Sequence, residues 1–170
     1  AYREQYGMNA ISLLPVNLYG PGDNFDPASS HVIPALIRKV IEARDSGRDY
    51  IDAWGTGNAS REFLFVRDAA QAIALATDAY DESDPLNIGT GHEITIRDLT
   101  ELICRLCEFN GEIRWDATKP DGQPRRCLDT TRCHEKLGFT AQTTLQDGLR
   151  ETIQWYERQF TQNAERPNAA

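Results

Sequence analysis

No apolar run approaches the roughly 20 residues needed to cross a bilayer, so nothing in this 170-residue chain reads as a membrane span. Basic residues are in deficit. Eighteen Lys and Arg stand against 26 Asp and Glu, a formal net charge of −8. A nucleic-acid binder would carry the opposite footprint, a basic patch or stripe. The glycine signature of a dinucleotide site, G-x-G-x-x-G between a strand and a helix, is missing. Three G-x-G pairs occur, Gly20/Gly22, Gly55/Gly57 and Gly89/Gly91, but none reaches a third glycine in the right place. They read as turns, and the chain by itself is not expected to bind a dinucleotide tightly. Repeats and low-complexity tracts are absent. The opening "AYREQYGMNA" has no apolar signal core, so the expectation is a soluble cytoplasmic protein.

Histidine is scarce, with three copies, and cysteine nearly so, with four. Cys104 and Cys107 form a C-x-x-C, and Cys127 and Cys133 follow. A zinc site is conceivable from that inventory. However, the first pair falls in a helical pattern, with Cys107 at the edge of its apolar stripe and Cys104 on the polar flank. The second pair has five intervening residues, which fits no common zinc spacing. Reduced thiols and no metal are the expectation.

Strand-like and helix-like segments alternate along the chain, which predicts an α/β fold. "AYREQYG" reads as the end of a helix closed by Gly7. Ala10–Val16 reads as a parallel strand covered on both faces. Residues 17–30 form a long Gly-, Pro-, Asn- and Asp-rich loop of the kind that often carries function. A helix follows from Ile33 to Arg44, with Pro34 confined to its first turn. "YIDAW", "EFLFV", "PLNIGTG" and "GEIRWD" are strands. Helices are expected over residues 67–80 and 96–108, the latter capped by Thr95. A short helix covers Thr131–Leu137 and ends at Gly138. The last begins near Thr144, with Leu145, Leu149, Ile153, Tyr156 and Phe160 on one stripe. Residues 161–170 are expected to be a frayed tail after a folded region spanning residues 1–160.

One histidine, His31, stands at the start of the second helix in "SSHVIPALIRK". Composition and spacing alone read it as a surface or capping residue. The wider motif changes that reading. "PVNLYGPGDNFDPASSHVIPALIRK" resembles the C-terminal half of the GDP-L-fucose synthase family of extended short-chain dehydrogenases/reductases, within the NAD-dependent epimerases/dehydratases. "WGTGNASREFLFVRDAA", "LNIGTGHEITIRDLTELI" and "KPDGQPRRCLD" continue the likeness to about Phe160. The family's glycine-rich loop, catalytic serine, Tyr-x-x-x-Lys pair and partner cysteine have no counterpart here, and no tyrosine has lysine four residues on. The chain is therefore expected to be a fragment, inactive alone. It would comprise the C-terminal part of a Rossmann-like parallel sheet and a smaller α/β substrate-binding domain.

The resemblance implies a two-part reaction on GDP-4-keto-6-deoxy-D-mannose: epimerisation at C3 and C5, then reduction of the C4 ketone by NADPH. It makes His31 the imidazole of an acid–base pair whose thiol lies outside this chain. It places Pro15, Val16, Asn17, Leu18 and His31 beside the nicotinamide of NADP. It places Lys39, Trp54, Arg61 and Asp121 at the substrate. A lysine supplies a point charge to phosphate and an arginine a bidentate fork. Trp54 can flank the nucleotide, or it can be core. Asp121 can hold ribose hydroxyls, or it can simply form a turn. Arg125 is a weaker pyrophosphate candidate. Family members are homodimers. The competing readings are another nucleotide-sugar epimerase or dehydratase of the same superfamily, and a non-catalytic nucleotide-sugar-binding module.

Overall fold

The computed structural model describes residues 2–164, with side chains to residue 159. Helix α1 (Tyr2–Tyr6) ends at Gly7, whose φ of 62° is the left-handed geometry that glycine adopts without cost. The strand expected over Ala10–Val16 is shorter and broken. It appears as β1 (Leu13–Pro15) and β2 (Asn17–Tyr19), separated by Val16. Its coverage also differs from expectation, because Leu14 is 51% exposed and β1 is covered on one face only. The loop expected from residue 17 accordingly starts at Gly20.

Helix α2 (Val32–Asp45) opens with His31 as N-cap residue and Pro34 in its first turn. Then come β3 (Tyr50–Trp54), β4 (Ser60–Phe65) and α3 (Val66–Ala79). β5 (Leu86–Ile88), β6 (Glu93–Thr95) and α4 (Ile96–Leu106) follow. Thr95 caps α4 by accepting from the Asp98 N–H at 3.0 Å, a cap worth about 1 kcal/mol. The chain continues through β7 (Glu112–Asp116) and a two-residue strand, β8 (Arg125–Arg126). Helix α5 (Thr131–Leu137) ends at Gly138, and α6 (Leu145–Ala164) runs into the expected tail. The Phe160 side chain and residues 165–170 lie outside the described residues.

β1 pairs in parallel with β5, and β3 in parallel with β7. β2 pairs in parallel with β4, which also holds β6 antiparallel and β8 parallel. The chain therefore changes partner at Val16, leaving β5 and joining β4. In open α/β sheets ligands bind outside the C-terminal ends of the parallel strands, and β2 and β4 end together here.

β4 divides the interior in two. Strand alternation sends Phe63 and Phe65 to one face and Leu64 to the other. The first face joins Ile37 and Val40 of α2, Leu99 and Ile103 of α4, and Leu149 and Ile153 of α6. The second joins Val16, Ala69, Ala72 and Ala76 of α3, and Leu86 and Ile88 of β5. Full burial of each large aliphatic side chain is worth about 1.5–3 kcal/mol. Cys104 and Cys107 both lie in the first core, so Cys104 is not on a polar flank as its helix position suggested. Burial pushes the Cys104 thiol up to about 11 and the Cys107 thiol up to about 12. Among the described residues no cluster of three or more His, Cys, Asp or Glu is arranged to hold a metal. None of the described helices is long and apolar enough to cross a membrane.

Glu62 is wholly buried in β4. Its Oε1 accepts from the N–H groups of Thr90 and Gly91, and its Oε2 from the N–H of Leu128 at 2.7 Å. One carboxylate thus fixes both the turn between β5 and β6 and the segment leading to α5. A Cβ at position 89 would collide with that carboxylate, which explains glycine there.

Candidate active site

A cavity of about 470 Å³ opens where β2 ends and α2 begins. Asn17, Leu18, Asp23, His31, Arg61 and Phe63 line it, together with the first turn of α2. Asn17 is held in place because its Nδ2 donates to the Glu62 carbonyl of β4 at 3.0 Å. Arg61 is held too. Its Nη1 donates to the carbonyls of Ser60 and Gln123, both at 2.6 Å.

His31 sits at the N-cap with extended backbone (φ −74°, ψ 174°), and its carbonyl accepts from Ala35 N–H at 3.0 Å. Its side chain does not cap the helix. The capping role that composition alone suggested is therefore not used, and the exposed ring borders the cavity.

The loop that delivers His31 is stitched by its own side chains. Asp23 Oδ1 accepts from Asn24 N–H at 2.7 Å, and Asn24 Nδ2 donates to Ser29 Oγ at 2.9 Å. Asp26 Oδ1 accepts from Ala28 N–H at 2.7 Å. Asp and Asn take these roles because their short side chains reach backbone one or two residues on. Asp23 Oδ2, in contrast, is buried without a hydrogen-bond partner. Such an orphan costs about 1–3 kcal/mol. Burial raises the Asp23 carboxyl above its usual range, opposed by the Asn24 N–H and by the charge of His31.

The other expected site residues divide. Pro15 is exposed at the end of β1, outside the cavity. Val16 turns into the second core, so only its backbone faces the strand switch. Lys39, which the resemblance places at the substrate, does not line the cavity. Its Nζ donates to the Asp52 carbonyl at 3.0 Å and lies 5.8 Å from the centre of the Trp54 ring. Burial lowers the Lys39 ammonium from its ordinary range, partly offset by Asp52. Trp54 is 68% exposed, which rules out the core alternative, and Lys119 stands 5.7 Å from its ring. Asp121 is tied across to the loop between β3 and β4. Its Oδ1 accepts from Thr56 N–H and its Oδ2 from Thr56 Oγ1, both at 2.7 Å. These bonds hold its carboxyl below the usual range. Arg125 is paired with Glu93 at 2.7 Å, so its charge is already met.

The site is therefore a cavity bearing Asn17, His31 and Arg61, with a cationic–aromatic surface at Lys39, Trp54 and Lys119. The two are linked through the turn at residues 121–123, where Arg61 Nη2 lies next to Gly122. Sequence reasoning missed Asp23 and Lys119. The only signal for Asp23 was an acidic residue inside the loop before His31, and that residue type is also a common turn former.

The segment Pro15–Leu18 fits the nicotinamide end of a dinucleotide. It lies at parallel strand ends and offers a locked amide at Asn17 and apolar surface at Leu18. No glycine-rich turn for a pyrophosphate accompanies it among these residues.

The chain is similar in sequence and fold to known proteins. The model of the NAD dependent epimerase/dehydratase family matches residues 1–89. GDP-L-fucose synthase 1 of Arabidopsis thaliana is 48% identical over 156 residues, covering 92% of this chain and 48% of that protein. A GDP-L-fucose synthetase from Naegleria fowleri, solved bound to NADP, superposes with a TM-score of 0.84 at 27% identity. It covers 89% of this chain and 47% of that one. A GDP-6-OMe-4-keto-L-xylo-heptose reductase from C. jejuni gives 0.84 at 28% identity, over 93% of this chain and 56% of that one. The chain spans about half the length of the curated relatives it matches. With the family model covering more than half of its residues, the chain belongs to the NAD dependent epimerase/dehydratase family.

Proposed function

We propose that this chain is the substrate-binding portion of a GDP-L-fucose synthase. The whole protein then epimerises C3 and C5 of GDP-4-keto-6-deoxy-D-mannose and reduces its C4 ketone with NADPH. The observation that carries the reading is one cavity joining the free imidazole of His31 to Asn17 and Arg61 at the strand switch. C3 and C5 flank a carbonyl, so a proton lost from either gives an enolate. Inversion takes a proton from one face and returns one to the other. His31 supplies one of those two groups, since imidazole can both accept and donate at neutral pH.

Arg61 anchors the substrate by charge. Trp54, flanked by Lys39 and Lys119, presents a face for the base and cations for the phosphates of GDP. Asp121 shapes the intervening turn. Residues 15–18 would hold the nicotinamide of NADPH, which would supply the hydride for the ketone. Homodimerisation belongs to the same reading, and sedimentation of the whole protein tests it.

A second reading is a GDP-keto-sugar reductase without epimerase activity, favoured by the likeness to the C. jejuni reductase. Deuterium wash-in from heavy water separates the two. In the whole protein, exchange at C3 and C5 is expected and should vanish in His31→Gln. Exchange at the wild-type rate in that variant would overturn the role given to His31, and no exchange in the wild type would favour the reductase. Calorimetry with GDP tests the 170-residue chain itself. It should bind GDP, retain no NADPH and turn over no ketone; turnover by the chain alone would refute the division of labour.

A further inference from the structure

One charged group in the His31 cavity has no task in the reaction as described. Asp23 Oδ1 is engaged by the Asn24 N–H, while Oδ2 is buried and unpaired. Oδ2 is shielded from bulk water, and Asp23 shares the cavity wall with His31 and Arg61. Arg61, the other charged side chain on the wall besides His31, spends its Nη1 on the Ser60 and Gln123 carbonyls. Lys39 is committed to Asp52. His31 has no capping bond, so its ring is free to turn.

We propose that Asp23 is a positioning residue for His31, accepting a hydrogen bond from one ring N–H and so dictating which imidazole nitrogen is left free for proton transfer. A neutral imidazole has two tautomers, and the hydrogen bond made by one nitrogen decides the state of the other. Epimerisation needs the nitrogen facing the sugar carbon in one defined state, so a ring of mixed tautomers wastes part of the enzyme. The loop suits this task. Its side-chain bonds from Asp23 to Ala28 fix the path between carboxylate and imidazole. The charge of His31 also favours the ionised form of Asp23 against the burial that opposes it. The inference rests on His31 being the proton-transfer group.

The test is nitrogen NMR on chain labelled at histidine. There are three histidines, and His31→Gln assigns the signal of interest. Above the imidazole titration, His31 should favour one tautomer by a factor on the order of five, the effect of one net hydrogen bond. In Asp23→Asn the amide oxygen still serves Asn24, but an NH₂ donor replaces Oδ2. The nitrogen that carried hydrogen should then become the acceptor, and the preference should reverse. An unchanged ratio in a variant whose backbone amide spectrum is native overturns the proposal. A second reading guards against misfolding of that variant: the Asp23 carboxyl carbon signal should shift in His31→Gln, and no shift also overturns it. Neither readout depends on turnover. Failure here leaves the wash-in test of His31 intact, and failure there leaves the pair itself measurable.

Discussion

The core between α2, α4 and α6 is closed on itself, whereas the one beneath α3 and β1 borders an apolar fringe. In the first, Ile37, Val40, Leu99 and Ile103 are fully buried. Around the second, Leu14 is 51%, Ile73 47% and Val66 40% exposed. The helices differ in the same way. α2 and α4 present Ile, Leu and Val to their core, while α3 presents Ala69, Ala72 and Ala76, which let it lie close on β4 and β2. A parallel strand is stable when both faces are covered, and β1 has cover on one. The α2–α4–α6 side of the molecule therefore carries its own stability, and the strand-switch side carries the exposed apolar fringe.

That contrast can be broken at several points. The largest effect is expected at the joint between the halves. Glu62→Ala strands three backbone N–H groups, each costing about 1–3 kcal/mol. Urea unfolding should lose on the order of 3–5 kcal/mol, and a loss below about 1 kcal/mol would mean the turn finds other partners. Leu99→Ala in the closed core should cost about 2–5 kcal/mol, read as a lowered midpoint.

Trp54→Ala acts on function instead. Base–aromatic stacking is worth about 1–3 kcal/mol, so GDP affinity by calorimetry should fall roughly tenfold. Stability should change by less than about 0.5 kcal/mol, because the ring is exposed. Equal loss at both would return Trp54 to a structural role.

Smaller effects follow pH. Asp121 and Asp129 have lowered carboxyls, through Thr56 and Thr131 respectively. Their stabilisation is complete above the ordinary carboxylate range and is lost as pH falls through the lowered values. Asp23 runs the other way. Its raised carboxyl costs stability as pH rises from the ordinary range through the raised value. Asp23→Asn should flatten that component in pH-dependent thermal melts, and an unaltered profile would show that folding does not raise the Asp23 carboxyl. The smallest change is expected at the fringe: Leu14→Ala should shift stability by less than about 0.5 kcal/mol. A cost comparable to Leu99→Ala would show that β1 is covered after all.

Much of this architecture was legible locally. Pro34 marked the start of α2, Thr95 capped α4, and Gly138 closed α5 with φ 62°. Each works through a backbone constraint that acts within a few residues, so sequence alone determines it. The break at Val16 was not legible, because an unbroken apolar run does not say which neighbour each residue pairs with. Nor was the burial of Glu62, whose three partners lie 28 to 66 positions away.

The candidate site divides along the same line. The motif around His31 singled out the imidazole, and its place at a helix start followed from Pro34 nearby. Tertiary structure alone decided that Arg61 and Asp23 share its cavity while Lys39 turns aside to Asp52 and Trp54. Helical periodicity fixes which residues share a face. The packing of β4 against β2, β6 and β8 fixes what that face meets, and those contacts join residues far apart in the chain.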